Sequence, residues 1–136
     1  MTLKSYCEKN GLDEGKVTNL VFGACEGILP KARGFTGYIG EITDTSLICV
    51  NDHFEVKKEI PFASFGAAEF GIGSGNLWLQ CLVDGKPFVF TMPRRDWKKP
   101  AAKLLLEKIS EVTEVQGKKD YDRIMGKLFW LHLFLR

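Results

Sequence analysis

The feature that most constrains this chain is a change of hydrophobic period near residue 96. Before it, apolar residues recur at every second position in short runs separated by turn residues. Beyond it, they recur at intervals of three and four. Residues 35–92 therefore read as short strands and residues 96–136 as helix, ending in Leu128-Phe129-Trp130-Leu131-His132-Leu133-Phe134-Leu135. A small curved sheet closed by an amphipathic helix satisfies that order. It leaves a second, very apolar helix in need of cover.

The strands can be placed individually. Leu3–Cys7 opens a short helix that Asn10-Gly11 would stop, and a strand follows from Val17 to Cys25 with a bulge or bend at Gly23. Phe35–Thr43 is a strand, and Asp44-Thr45 turns it. Leu47-Ile48-Cys49-Val50 is apolar at every position, too evenly for a strand with one wet face. Phe54, Val56, Lys58 and Ile60 alternate with Glu55, Lys57 and Glu59, and Lys58 among the inward positions sets that strand near a sheet margin. An irregular strand spans Ala63–Phe70, and Gly71, Gly73 and Gly75 read as a flexible connection without phosphate-loop spacing. Leu77–Val83 and Phe88–Met92 form the strongest hairpin, with Asp84-Gly85 suited to a tight turn. Pro93 ends the sheet. Trp97, Ala101, Leu104, Leu105, Ile109 and Val112 then share a helical face, and Asp96 is placed to cap its start. After Gly117 the last helix reads as Tyr121–Leu135.

With 136 residues, the chain is read as one domain, with a core at about 17–115 and a helical extension at 118–136. Apolar residues make up 45% of it, enough for a core without disulfide or metal support. Cys7, Cys25, Cys49 and Cys81 are far apart and contain no CxxC pair, so they read as buried thiols suited to a reducing cytoplasm. No apolar run approaches the roughly 20 residues that span a bilayer. A net charge of +2 is too small to argue for nucleic acid.

The order of these segments resembles the pleckstrin-homology-like superfamily, particularly its GRAM and bacterial variants. The resemblance lies in Gly37–Cys49, in Phe54–Ile60 with Ile60-Pro61-Phe62, and in the Leu77–Met92 hairpin leading to Trp97. It implies a mainly β fold with C-terminal helices: a bent, partly open antiparallel barrel, one end plugged by the amphipathic helix. It also implies recognition of a membrane lipid or protein more often than catalysis, although one scaffold supports many functions. Phosphoinositide-binding members place basic residues on the first two strands and their loop. Lys31-Ala32-Arg33 is similar to a fragment of that pattern, with Lys16 as a contributor from the preceding strand.

Two anion-binding candidates follow: Lys31 with Arg33, and the denser run Arg94, Arg95, Lys98 and Lys99 beside Trp97. Solvated surface charge is the alternative for both. The candidate protein interface is Ile124, Leu128, Phe129, Leu131 and Leu135. Burying four further large side chains of that helix would contribute about 6–12 kcal/mol before ordering and desolvation costs. Packing within the chain, association with protein and contact with a membrane surface are its three outlets. Neither His53 nor His132 belongs to a metal-binding spacing, and no cofactor, metal or catalytic constellation is evident. The leading expectation is a non-enzymatic interaction or scaffold module, cytoplasmic or peripheral to a membrane, with a protein partner or a second copy. A module for anionic lipid or phosphoinositide is the alternative. A small enzyme using Cys49, Cys81 and His53 is the third reading.

Overall fold

The computed structural model describes residues 2–124. The elements run α1 (Leu3–Asn10), β1 (Val17–Ala24), β2 (Thr36–Ile42), β3 (Ser46–Asn51), β4 (Val56–Pro61), β5 (Phe65–Gly73), β6 (Asn76–Val83), β7 (Lys86–Thr91), the single turn α2 (Arg94–Trp97), α3 (Pro100–Ser110) and β8 (Val115–Gln116). Residues 118–124 are helical and are termed α4. The protein is thus mainly β with helices towards its C-terminal side.

All eight strands belong to one sheet, in the order β4-β3-β2-β1-β7-β6-β5-β8. Neighbours are antiparallel except β5 and β8, which pair parallel through Ala68–Val115 and Glu69–Gln116. Strand β1 joins two meanders, pairing with β2 on one side and with β7 on the other. The expected irregularity at Gly23 is present as a register shift between Phe22 and Ala24.

The expectation of a β-barrel is overturned: the sheet is open, with β4 and β8 as its two margins. The sequence of β4 explains why that margin takes no further strand. Lys57, Lys58 and Glu59 are exposed there, and Pro61 lacks an amide to donate. Lys58 Nζ donates instead to the Ile28 carbonyl at 2.7 Å, which ties the loop after β1 to this edge. Helix α3 consequently plugs no barrel mouth and packs near β1, β2 and β8.

The inward positions form one large core. Leu20, Phe22, Leu47, Leu79, Phe88, Phe90, Trp97, Leu105 and Ile109 are wholly buried in it. A second cluster lies on the opposite, outer face, where Tyr6 and Cys7 of α1 meet Val17, Ile39 and Val50. This explains the even apolarity of β3. Leu47 and Cys49 face the main core, while Ile48 and Val50 face α1. Helix α1 ends where Asn10-Gly11 predicts, with Gly11 left-handed at φ 64°.

Two local expectations change. Gly71 and Gly73 lie within β5, and the connection after them is the tight turn Ser74-Gly75, with φ of 52° and 76°. It repeats the left-handed pair of Asp84-Gly85, at 51° and 78°. Asp96 does not cap α3. It sits inside α2, while Lys99 occupies the N-cap without a side-chain bond and Pro100 opens the helix. Strand β8 has no counterpart in the sequence reading, because two residues are too few to show a period.

Candidate interaction site

The loop between β1 and β2 carries Lys31 and Arg33. Lys31 Nζ lies 3.4 Å from Glu26 Oε1, so part of its charge is already met. The Glu26 carboxyl is held below its ordinary value by its own backbone amide and by Lys31. Arg33 is exposed. Lys16 sits at the opposite end of the eight-residue β1, roughly 25 Å away at about 3.3 Å per residue. It cannot join Lys31 and Arg33 around one headgroup.

The second basic run is divided by local structure. Lys99 Nζ pairs with the buried Asp96 carboxylate at 3.1 Å. Arg94 donates from Nη2 to the Gly75 carbonyl at 3.0 Å, joining α2 to the β5–β6 turn. Arg95 and Lys98 are exposed. Arg94 also lines a cleft of about 260 Å³ with Ile72, Gly75, Arg123 and Ile124. The sequence reading did not include Arg123, because it lies 28 positions after Arg95 and only the fold brings α4 to this turn.

The aromatic surface is a further unanticipated feature. Phe35 is 61% exposed and rests on Trp78, with ring centroids 5.2 Å apart. Trp78 lies across the outer face of the sheet, and its Nε1 donates to the Gly73 carbonyl at 2.8 Å. The ring can approach this closely because its neighbours are glycines. A Cβ on Gly23 would stand 3.1 Å from it. Alternation predicts that Trp78 leaves the main core, but not the loop residue that covers it.

Of the proposed protein interface, Ile124 is buried, whereas Leu128, Phe129, Leu131 and Leu135 lie outside the described residues. Just before Ile124 the fold leaves a groove of about 780 Å³ between α3 and α4. Phe70, Leu106, Val115 and Tyr121 supply its apolar lining, and Lys103, Glu107, Glu114 and Lys118 its charged rim. Positions 103, 107 and 110 are one stripe of α3, spaced by four and three residues. Tyr121 packs tilted against Phe70, with ring centroids 5.3 Å apart, and donates its hydroxyl to the Trp97 carbonyl at 3.3 Å. One wall is thereby fixed to the core.

The groups considered for thiol chemistry are not gathered. Cys49 and Cys81 are buried, while His53 is exposed in the β3–β4 turn. Burial pushes the Cys81 thiol up to about 12 and raises Cys49 as well, opposite to the activation a nucleophilic thiolate needs. Among the described residues, no three or more His, Cys, Asp or Glu side chains gather to hold a metal, and no helix is long and apolar enough to cross a membrane.

No family model matches the chain, and no curated protein matches it in sequence.

Proposed function

We propose that this protein is a non-enzymatic interaction module that self-associates, the α3–α4 groove of one copy receiving the apolar segment Leu128–Leu135 of another. The groove carries this reading. Among the described residues it is lined by the apolar Phe70, Leu106, Val115 and Tyr121 together with Lys103, Glu107, Glu114 and Lys118, a mix with which one helix accepts the apolar face of another. The same polypeptide holds a segment of eight residues whose only polar member is His132. The mixed rim, with two lysines and two glutamates, favours a neutral apolar occupant over a strongly charged one.

The pleckstrin-homology-like reading enters through element order alone. Two antiparallel meanders share β1, and an amphipathic helix follows the second. That order supports a binding scaffold on an open sheet, and says nothing about its ligand.

Light scattering on the full chain tests the proposal. The wild type is expected to show more than the monomer mass, rising with concentration. Leu106→Glu in the groove and a double Leu128→Glu, Leu131→Glu variant are expected to be monomeric and folded by circular dichroism. A wild-type chain that stays monomeric at every concentration, or variants that associate as it does, would refute it.

A further inference from the structure

Helix α1 covers the outer face of the sheet around Val17, Ile39 and Val50, and two features lie side by side on the face beyond it. The first is a hollow of about 440 Å³ where β1 and β2 meet the β3–β4 turn. Val21, Gly37 and Val50 belong to its lining, together with Asn19, Asp52 and His53. Asn51 holds the turn in place: its Nδ2 donates to the Gly37 carbonyl at 2.7 Å, and its Oδ1 accepts from the Phe54 amide at 3.1 Å. The side chains of Asn19, Asp52 and His53 are exposed and have no hydrogen-bond partner among the described residues. Among the described residues that line the hollow, none is a lysine or an arginine. It is therefore unsuited to an anion and supplied with groups that both donate and accept hydrogen bonds.

The second feature is the Phe35–Trp78 pair. Outward positions recur at every second residue, so Phe35 follows Gly37 on the face of β2, and Gly23 follows Val21 on that of β1. The pair thus adjoins the hollow. Both ends of the Trp78 indole rest on glycine backbone: a Cβ on Gly23 would stand 3.1 Å from its Cζ3, and one on Gly73 would stand 3.5 Å from its Cδ1. Trp78 is only 8% exposed, so the ring offered to solvent is that of Phe35, backed from beneath by the indole. From β6, which carries Trp78, to the end of β3 the surface crosses four strand spacings, roughly 19 Å at about 4.8 Å each.

A ligand that uses both features has to be extended, to bring apolar faces and hydrogen-bonding groups together, and to carry no negative charge towards Asp52. Linked pyranose rings meet all three demands. The C–H face of such a ring packs on the electron-rich face of an aromatic side chain. Its hydroxyls both donate and accept, which suits an amide, a carboxylate and an imidazole. We propose that this outer face binds a neutral oligosaccharide, with Phe35 stacked against one sugar ring and Asn19, Asp52 and His53 bonded to the hydroxyls of a neighbouring one. The surface shares no lining residue with the α3–α4 groove, so the proposal does not depend on self-association.

Titration of the full chain with cellotetraose, maltotetraose and N-acetylated chitotetraose, followed by amide chemical shifts, tests this. At least one sugar is expected to move the signals of Val21, Gly37, Asp52 and the Trp78 indole, while those of Leu106 and Tyr121 in the groove stay still. The affinity should be the same at low and high salt, as a neutral ligand requires. Phe35→Ala is expected to weaken binding about tenfold, the effect of losing one aromatic contact, and Phe35→Tyr to retain it. Asp52→Asn removes the charge and keeps a hydrogen-bonding group, so it should bind nearly as the wild type does, whereas Asp52→Ala should bind more weakly. Phe35 and Asp52 are both exposed, so these variants should keep the wild-type circular dichroism. Silence from all three sugars, or full affinity in Phe35→Ala, would overturn the site. Salt-dependent binding that Asp52→Asn abolishes would overturn the neutral class of ligand in favour of a cation. Shifts at the same amides that follow protein concentration and not sugar would also overturn the proposal, by showing a contact between copies of the chain.

Discussion

Individual positions decide how closely the backbone segments approach. Gly117 has φ +75°, and a Cβ there would lie 2.6 Å from the Phe70 carbonyl oxygen. Backbone cannot yield as a flexible side chain does. Gly117→Ala should therefore cost about 2 kcal/mol or more, combining left-handed strain with the clash. It should also loosen β8 from β5, which hydrogen exchange at Glu69 and Gln116 would detect. Gly40→Ala is a milder case. Its Cβ would meet the ends of Leu20 and Leu47 at 2.7 and 3.2 Å, so a cost of about 1–3 kcal/mol from overpacking is expected in a urea melt. A smaller loss for Gly117→Ala than for Gly40→Ala would contradict this ranking. Neither constraint was visible in the sequence. Gly117 reads there only as a separator of helices, because its close neighbour is 47 positions away.

Among the elements, α1 has a defined structural task. It covers the half of the outer face formed by β1, β2 and β3, and Tyr6 donates its hydroxyl to Glu41 at 3.1 Å. Removing residues 2–11 would bare Val17, Ile39, Ile48 and Val50. The expected result is a lower urea midpoint and dye binding to an exposed apolar patch, with strand signals in circular dichroism retained. An unchanged midpoint would mean that α1 contributes nothing. The elements most legible in the sequence were those with a clean period, namely the Leu77–Met92 hairpin and α3. The even apolarity of β3 signalled two buried faces but did not identify α1 as the second cover, since eight residues with a modest apolar stripe do not announce what they pack against. Strand β4 showed its marginal position through Lys58. The barrel expectation failed because strand order fixes who pairs with whom, whereas closure depends on whether the two margins can meet.

Across the whole molecule, buried protonated groups set the response to alkali. Burial and the Glu41 hydrogen bond push Tyr6 up to about 12, and burial does the same for Tyr38 and Cys81. Their ordinary values are lower, so the folded state holds protons that the unfolded chain releases. That contribution is full below about pH 8.5, where the unfolded thiols begin to ionise, and is lost as pH rises towards 12. The urea midpoint should fall steadily through this range, and a midpoint rising with pH would contradict the burial of these groups. The candidate surfaces were legible to unequal degrees. The Arg94–Lys99 run was apparent as a basic cluster, but its partition between Asp96, Gly75 and the Arg123 cleft required the fold. The α3–α4 groove is not legible in the sequence, because Leu106 lies off the apolar face read for α3 and Phe70, Val115 and Tyr121 come from separate segments that only the fold brings together. The most direct test of self-association mixes two monomeric variants, Leu106→Glu with its apolar segment intact and Leu128→Glu, Leu131→Glu with its groove intact. Sedimentation of the mixture should reveal a one-to-one complex that neither forms alone. Two species that remain monomeric together, beside a wild type that pairs, would contradict the exchange of that segment into the groove.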